Sequence, residues 1–264
     1  MSQLEALPPT PRMPALFLGH GNPMNAIWDN AFTRSLAALG RDLPRPHAIA
    51  VVSAHWLTGG VGVHCVDFPR TIHDFEGFPP ELYEIRYPAP GAVAYAQAAV
   101  EVLGDAVCDT RWGLDHASWA VLRHMYPAAD VPVFEISLDV GRSPAEHWRL
   151  AQRLAPLRDH GVLVVGSGNV VHSFAGMRSD PDAEPHDWAV EFDAWAADAL
   201  VRGDRDALVG YESLGRIADL AVPTNDHYLP MLYAAALRRD DEGLEFTYEG
   251  IAHASMSMRC ARIG

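Results

Sequence analysis

The sequence lacks several features that define large classes of proteins. It has only three cysteines in 264 residues, too few and too scattered for a disulfide framework, and no pair has the short spacing of a zinc knuckle. No stretch approaches the roughly 20 uninterrupted apolar residues that a membrane-spanning helix needs. The N-terminus has no basic stretch followed by an apolar core, so no secretory signal is predicted. We therefore expect a cytoplasmic protein that is not embedded in a membrane.

Positive charge is also scarce. The chain has 20 Lys and Arg residues against 34 Asp and Glu residues, a formal net charge of −14. Because such a surface repels phosphate backbones, nucleic acid is not an expected partner. Hydrophobic residues make up 49% and charged residues 20% of the chain, which is a globular composition. The unusual feature is its 13 histidines, so their positions are the informative part of the sequence.

Short apolar runs alternate with amphipathic segments along the chain. Strands are predicted at 14–18, 48–52, 61–66, 131–136, 161–165 and 244–249, and helices at 29–40, 92–103, 115–125, 143–158, 188–201 and 228–238. This alternation predicts an α/β fold, a three-layer α/β/α single domain with a central mixed sheet. Three prolines between residues 8 and 11 suggest that residues 1–12 form a loose leader before a catalytic domain at 13–264.

Three histidines share one context. His20, His55 and His172 each follow a buried apolar strand, directly or within a few residues. In an open α/β sheet, ligands bind outside the carboxyl ends of the strands, and three neutral imidazoles at that edge can hold a divalent metal. His227 precedes a predicted helix, near its start because Pro230 is tolerated only in an early turn. The alternative is that each is an ordinary structural histidine; for the set, we favour the metal site.

Other candidate residues lie near helix starts and on a long loop. His116 begins a predicted helix, where a role near the substrate competes with simple capping. His73 and Phe75 lie on the loop at 67–91, which is rich in proline and aromatic residues. Both are candidate substrate contacts, and the alternative for His73 is a solvated loop residue. Phe75, with Phe78 and Tyr83, is expected either to stack on a planar ligand or to form a small second core.

Several motifs, in order along the chain, resemble those of the 4,5-DOPA extradiol dioxygenase family, a branch of the class III extradiol ring-cleavage dioxygenases (the superfamily of the protocatechuate 4,5-dioxygenase β subunit). The motifs are Gly19-His-Gly-Asn-Pro-Met24, Val52-Ser-Ala-His-Trp56, Ile72-His-Asp-Phe75, Tyr87-Pro-Ala-Pro-Gly91, Gly113-Leu-Asp-His116, Ser167-Gly-Asn-Val-Val-His172, Pro223-Thr-Asn-Asp-His-Tyr-Leu-Pro230 and Ser255-Met-Ser-Met258. Each motif is weak alone, but their ordered combination is specific. The similarity runs from about residue 13 to the C-terminus.

The resemblance implies an α/β/α domain with a mononuclear non-haem metal centre. It implies that His20, His55 and His227 are metal ligands, and that His172 is either a fourth ligand or an acid/base beside the metal. It places His116 near the substrate as a second catalytic candidate. Two positions depart from the family pattern. Asn22 replaces a more usual serine, which suggests altered substrate contacts, and Asp226 replaces a more usual glutamate. Asp226 could partner a ligand imidazole, although we favour a helix N-terminal charge.

The implied reaction inserts O₂ into the ring of a DOPA-like catechol and gives a ring-opened semialdehyde. Iron(II) is expected for activity because it accepts a chelating diol and O₂, and histidine can exchange the required protons near neutral pH. An all-histidine site also suits zinc, so the isolated protein could carry zinc. Two alternatives stay open, a zinc hydrolase on the same scaffold and a metal- or partner-binding protein without turnover. The partners expected are a small aromatic diol and O₂, with homo-oligomer formation undecided.

Overall fold

The computed structural model describes residues 2–264, and its centre is an eight-stranded sheet. In chain order, the strands of the protein are β1 (Ala15–Gly19), β2 (Ala48–Thr58), β3 (Val61–His64), β4 (Ala106–Asp109), β5 (Val133–Asp139), β6 (Val162–Gly168), β7 (Leu244–Tyr248), β8 (Ile251–Ala252), β9 (Met256–Ser257) and β10 (Cys260–Ile263). Strands β8 and β9 pair with each other in a separate small sheet, and the others form the central sheet in the order β4-β3-β5-β2-β6-β1-β10-β7. Strands β5, β2, β6 and β1 pair in parallel, whereas β10 is antiparallel to both β1 and β7. The sheet is therefore mixed, as predicted.

Helices cover both faces of the sheet. They are α1 (Ala31–Asp42), α2 (Pro80–Tyr83), α3 (Val93–Leu103), α4 (His116–Met125), α5 (Pro144–Gln152), α6 (Ala155–Arg158), α7 (Asp187–Arg202), α8 (Arg205–Val209), α9 (Arg216–Ala221) and α10 (Leu229–Ala236). Alternate strand residues face opposite sides. Leu16 and Leu18 pack with α1 and α4, whereas Ala15 and Phe17 pack with α3, α5, α7 and α10. Two hydrophobic cores thus lie on either side of one sheet, which confirms the three-layer α/β prediction.

Local sequence signals explain where several helices begin. The carboxylate of Asp115 accepts a hydrogen bond from the Ala117 amide and caps α4. Ser143 and Glu146 form a reciprocal capping box at the start of α5. Such caps satisfy amide groups that have no partner within the helix. The predicted helix starts at 115 and 143 are therefore correct to within a residue.

The C-terminal part of the sheet differs from the prediction. The segment at 244–249 was expected to be the last strand, but β8, β9 and β10 follow it, and β10 lies between β1 and β7. These strands have only two to four residues, too short for an alternating pattern to be visible. Strand β4 and helices α8 and α9 were also missed. The predicted helix at 143–158 is divided into α5 and α6.

Two further contacts tie the outer parts of the fold together. Cys65 and Cys108 form a disulfide, and the parallel register of β3 and β4 brings them close, with Cα atoms 5.4 Å apart. The sequence alone did not indicate this pairing.

The segment before residue 13 also contacts the rest of the fold. Leu7 is buried in the core, and the Thr10 amide donates to the Asp159 carbonyl. Among residues 2–264, no helix has both the length and the apolarity needed to span a membrane.

Candidate metal and active site

Five histidines converge at the carboxyl-terminal edge of the sheet and line one cavity of about 350 Å³. They come from distant parts of the chain. His20 directly follows β1, His55 lies within β2, His116 is the first residue of α4, His172 follows β6, and His227 lies in the loop before α10. One expectation needs correction. His55 does not follow its strand, because β2 continues past the irregularity between Val52 and Leu57.

The ring nitrogens are close enough to share an ion. His20 Nε2 and His55 Nε2 are 3.3 Å apart. Two nitrogens bound to one ion at 2.0–2.1 Å are separated by about 3.0–3.4 Å, depending on the coordination geometry. His20, His55 and His116 each offer a nitrogen within 4.8 Å of the other two. The ring centroid of His227 is 5.3 Å from that of His20 and 4.9 Å from that of His55.

The outer nitrogens of His20 and His227 are each held by an oxygen. The Ser167 hydroxyl donates to the Ala117 carbonyl at 2.7 Å, so it accepts a hydrogen bond from His20 Nδ1 at 3.1 Å. His227 Nδ1 donates to Asp226 Oδ2 at 2.5 Å. These contacts place the proton on Nδ1 and leave the Nε2 lone pair free, the form that binds metal.

An unpartnered nitrogen shows that the donor set fits a metal. His227 Nε2 is buried and has no hydrogen-bond partner within the described residues. A buried imidazole nitrogen without a partner is costly, and a metal ion bound there would satisfy it. Asp226 is therefore a hydrogen-bond partner of the His227 imidazole, the first of the two roles considered for it, and the first turn of α10 contains no acidic residue.

Close backbone approach positions the His227 loop. The Asn169 amide donates to the His227 carbonyl at 2.9 Å. A Cβ atom at Gly168 would lie 2.1 Å from that carbonyl oxygen, so only glycine fits there. The end of β6 thus lies directly against the loop that carries His227.

Asp74 is the functional residue that the sequence reasoning missed. Its Oδ2 atom accepts a hydrogen bond from His116 Nδ1 at 2.9 Å and lies 3.2 Å from His55 Nδ1. Its Oδ1 atom accepts from the backbone amide of His116 at 3.0 Å. One carboxylate thus contacts two imidazoles from different elements and fixes the orientation of the His116 ring. The sequence contained a signal for it, because Asp74 belongs to the motif Ile72-His-Asp-Phe75.

The other predicted substrate contacts divide into two groups. Asn22 and Phe75 line the histidine cavity, and so does Phe78. His73 is not among the residues that line it. Its Nε2 atom contacts the Ile85 carbonyl at 3.1 Å, and its ring lies 5.5 Å from that of Trp119. The aromatic loop therefore supplies both a wall of the cavity and a small packed cluster, so the two alternatives for it are not exclusive.

Burial keeps several of these imidazoles neutral. Desolvation, reinforced by neighbouring histidines, lowers the pKa of His20 and His55 well below its ordinary value. Desolvation and the proximity of His227 lower the pKa of His172 to about 3. Burial alone would raise the pKa of Asp226, but the hydrogen bond from His227 brings it down to about 2. Neutral imidazoles beside ionised carboxylates are the state that metal binding requires.

Comparisons with known proteins agree with this geometry. A family model described as the catalytic LigB subunit of aromatic ring-opening dioxygenase matches residues 10–262. The chain is 45% identical to a protein of Escherichia coli (strain K12) named 4,5-DOPA dioxygenase extradiol, over 96% of this chain and 95% of the relative. A protein of the same name from Beta vulgaris is 35% identical, over 88% and 89% of the two chains. A crystal structure of an uncharacterised protein from Escherichia coli K12 is similar with a TM-score of 0.84 and 41% identity, covering 96% of this chain and 100% of that one.

Proposed function

The chain belongs to the LigB family of aromatic ring-opening dioxygenases, and from this membership we propose that its substrate is a DOPA-like catechol. Ring opening beside the two hydroxyl-bearing carbons, with both atoms of O₂ inserted, would give a semialdehyde. The convergence of five histidines on one cavity is the observation that supports the proposal. The family and the relatives named above are dioxygenases, so the alternative of a zinc hydrolase is not supported.

We propose that His20, His55 and His227 hold the metal and that the metal is iron(II). Support comes from the 3.3 Å separation of His20 Nε2 and His55 Nε2 and from the unpartnered Nε2 of His227. Iron(II) bound there would supply the redox activity that lets triplet O₂ react with a closed-shell diol. This all-histidine set departs from the common pattern of two histidines and one carboxylate. Since it also suits zinc, zinc in the isolated protein would not contradict the proposal.

We assign the proton transfers to His172 and His116. His172 has no side-chain hydrogen bond to protein within residues 2–264, and its ring lies parallel to that of His227, with centroids 3.6 Å apart. It is therefore free to exchange a proton with a bound diol. His116 is fixed by Asp74 through Nδ1, so its Nε2 is the atom available to a substrate hydroxyl. Phe75 and Phe78 wall the cavity and would exclude water from the ring. A cytoplasmic location and homo-oligomer formation stay predictions.

Replacing Asp74 with asparagine tests its control of the two histidines. The amide preserves the shape of the side chain but loses the charge and part of the accepting capacity that His55 and His116 use. Because changes to partners of metal ligands cost about 10–100-fold in affinity or activity, we expect kcat and iron affinity to fall together within that range. Asp67→Asn, an exposed acid on the same loop, should leave both unchanged. A loss of turnover with unaltered iron affinity would show that Asp74 acts only by positioning His116 and not by supporting the ligand His55.

Anaerobic loading with iron(II), followed by a catechol and O₂, tests the function itself. We expect O₂ uptake and a yellow ring-opened product, and neither with the zinc-loaded protein. Absence of uptake across a panel of substituted catechols, with iron occupancy verified, would contradict the proposal. Hydrolysis of esters or amides by the zinc form without O₂ would favour a hydrolase. Metal binding without any turnover would indicate a binding protein.

A further inference from the structure

Two segments of the chain run side by side from the Cys65–Cys108 disulfide to the histidine cavity. Residues 65–74 directly follow β3, and residues 108–116 start in β4 and end at the first residue of α4. Because β3 and β4 are parallel, both segments leave the disulfide in the same direction. We call these two segments the site ribbon. The disulfide lies at one end of it, and the contact between Asp74 and His116 lies at the other.

Backbone contacts join the two segments of the site ribbon along its length. Hydrogen bonds run from the amides of Cys65, Leu114 and Ile72 to the carbonyls of Asp109, Arg70 and Leu114, at 3.0, 2.9 and 2.7 Å respectively. A Cβ atom at Gly113 would lie 2.3 Å from the Arg70 carbonyl oxygen, so the two backbones approach too closely for any larger residue. A shift of one segment therefore moves its partner as well.

The disulfide is open to reagents from solvent. Cys108 is exposed and Cys65 is half-buried, and β4 is the edge strand of the central sheet. The remaining cysteine, Cys260, is free and buried. Since thiol and disulfide reactions follow access as well as thiolate character, a small thiol or peroxide reaches the Cys65–Cys108 pair more readily than Cys260.

The size of the fold argues against a purely structural need for this bond. Disulfides are typical of small secreted domains that cannot build a sufficient core, whereas this chain has 264 residues and two hydrophobic cores on either side of one sheet. In a cytoplasm, the location predicted from the sequence, disulfides are usually transient and catalytic or redox-sensing. The position of the bond, at the end of the site ribbon, indicates what it would control.

We propose that Cys65 and Cys108 form a reversible redox site, and that its state governs how firmly the contact between Asp74 and His116 is held. The reductant is a dithiol. Its thiolate attacks Cys108 Sγ, the Sγ–Sγ bond breaks, and Cys65 leaves as a thiolate that takes up a proton. The second thiol of the reductant then displaces Cys108, which also takes up a proton, and the dithiol departs as its own disulfide with two electrons transferred to the cysteine pair.

Hydrogen peroxide reverses the reaction. It accepts two electrons and two protons from the two thiols and leaves as two water molecules, while the Sγ–Sγ bond forms again. Reduction removes the covalent link but not the backbone hydrogen bonds, so the site ribbon loosens without unfolding. The effect on the ribbon is independent of the proposed function, whereas the effect on turnover rests on it.

Amide hydrogen exchange tests the effect on the ribbon. The apo protein is treated with dithiothreitol, freed of it by gel filtration and loaded with iron(II) without O₂. A thiol titration in denaturant should count three thiols, against one before treatment. We expect the amides of Ile72, Leu114 and His116 to exchange roughly tenfold faster or more in the reduced protein, because loss of the cross-link favours local opening. The amide of Val164, in β6, should be unchanged.

Turnover of a catechol by the same preparations tests the effect on the site. We expect kcat to fall by roughly three- to tenfold on reduction, less than or equal to the smallest loss typical of a removed ligand partner, because the hydrogen bonds of the ribbon remain. Stoichiometric peroxide, added and removed before iron loading, should restore it. The double variant Cys65→Ser/Cys108→Ser, checked for folding by circular dichroism, should match the reduced protein under every treatment. Cys260→Ala is the matched control and should keep the full response.

The inference fails if reduction leaves the exchange of these three amides unchanged, or if the reduced protein cleaves catechols with the kcat of the oxidised one. Faster exchange at Ile72 and Leu114 but not at His116 would make the bond purely structural and would also overturn it. A response that persists in the double variant would place the redox site elsewhere. Faster exchange at all three amides, with no cleavage by either form, would contradict the proposed function and leave this inference standing.

Discussion

His20→Ala is expected to abolish ring cleavage by removing a metal ligand. The imidazole is 3% exposed, its Nε2 lies 3.3 Å from that of His55, and its Nδ1 is fixed by Ser167. Without it the remaining donors no longer enclose an ion. We expect iron affinity to fall by more than about 100-fold, beyond the loss typical of residues that only support a ligand. Metal content after gel filtration, together with O₂ uptake, measures both effects.

The fold of this variant should survive, because the imidazole makes a single hydrogen bond and its loss leaves Ser167 still donating to the Ala117 carbonyl. Circular dichroism checks this point. His47→Ala, at an exposed histidine, is the matched control and should keep iron and activity. A folded His20→Ala protein that retains stoichiometric iron would remove His20 from the ligand set.

His172→Gln is expected to lower kcat by 10²–10⁴-fold, the range of positioned acid/base groups, while iron affinity stays unchanged. The physical reason is that His172 lies beside His227 in a parallel stack and has ring nitrogens free to face a bound diol. Glutamine keeps much of the volume and a hydrogen-bonding end but does not titrate. Single-turnover kinetics and iron titration of the same preparation separate the two roles.

The result distinguishes the two assignments that the sequence left open. If iron affinity also collapses in His172→Gln, His172 is a ligand and His116 becomes the leading acid/base. In that case, His116→Gln should lower kcat by about the same 10²–10⁴-fold. A variant with normal kcat and normal iron binding would contradict both assignments.

The sequence predicted the structure best where a local pattern of residues determines a strand or helix. Buried apolar runs marked the strands before His20 and His172, and parallel strand topology explains why their carboxyl ends meet at one edge. The sequence was least informative where contacts between distant parts of the chain determine the position of a residue or strand. Asp74 matters only because its loop folds back on to α4, and the position of β10 depends on pairing with β1 and β7. Neither relationship is visible in residue spacing.

The shared carboxylate of Asp74 links two proposed tasks, metal binding and proton transfer. His55 is a proposed ligand and His116 a proposed proton acceptor, yet the same oxygen, Oδ2, contacts both. The segment that carries Asp74 starts close to the Cys65–Cys108 bridge. A displacement of this segment would therefore disturb ion retention and proton exchange simultaneously. Engineering that reshapes the segment for new substrates should change only its outward-facing side chains and leave its path unaltered.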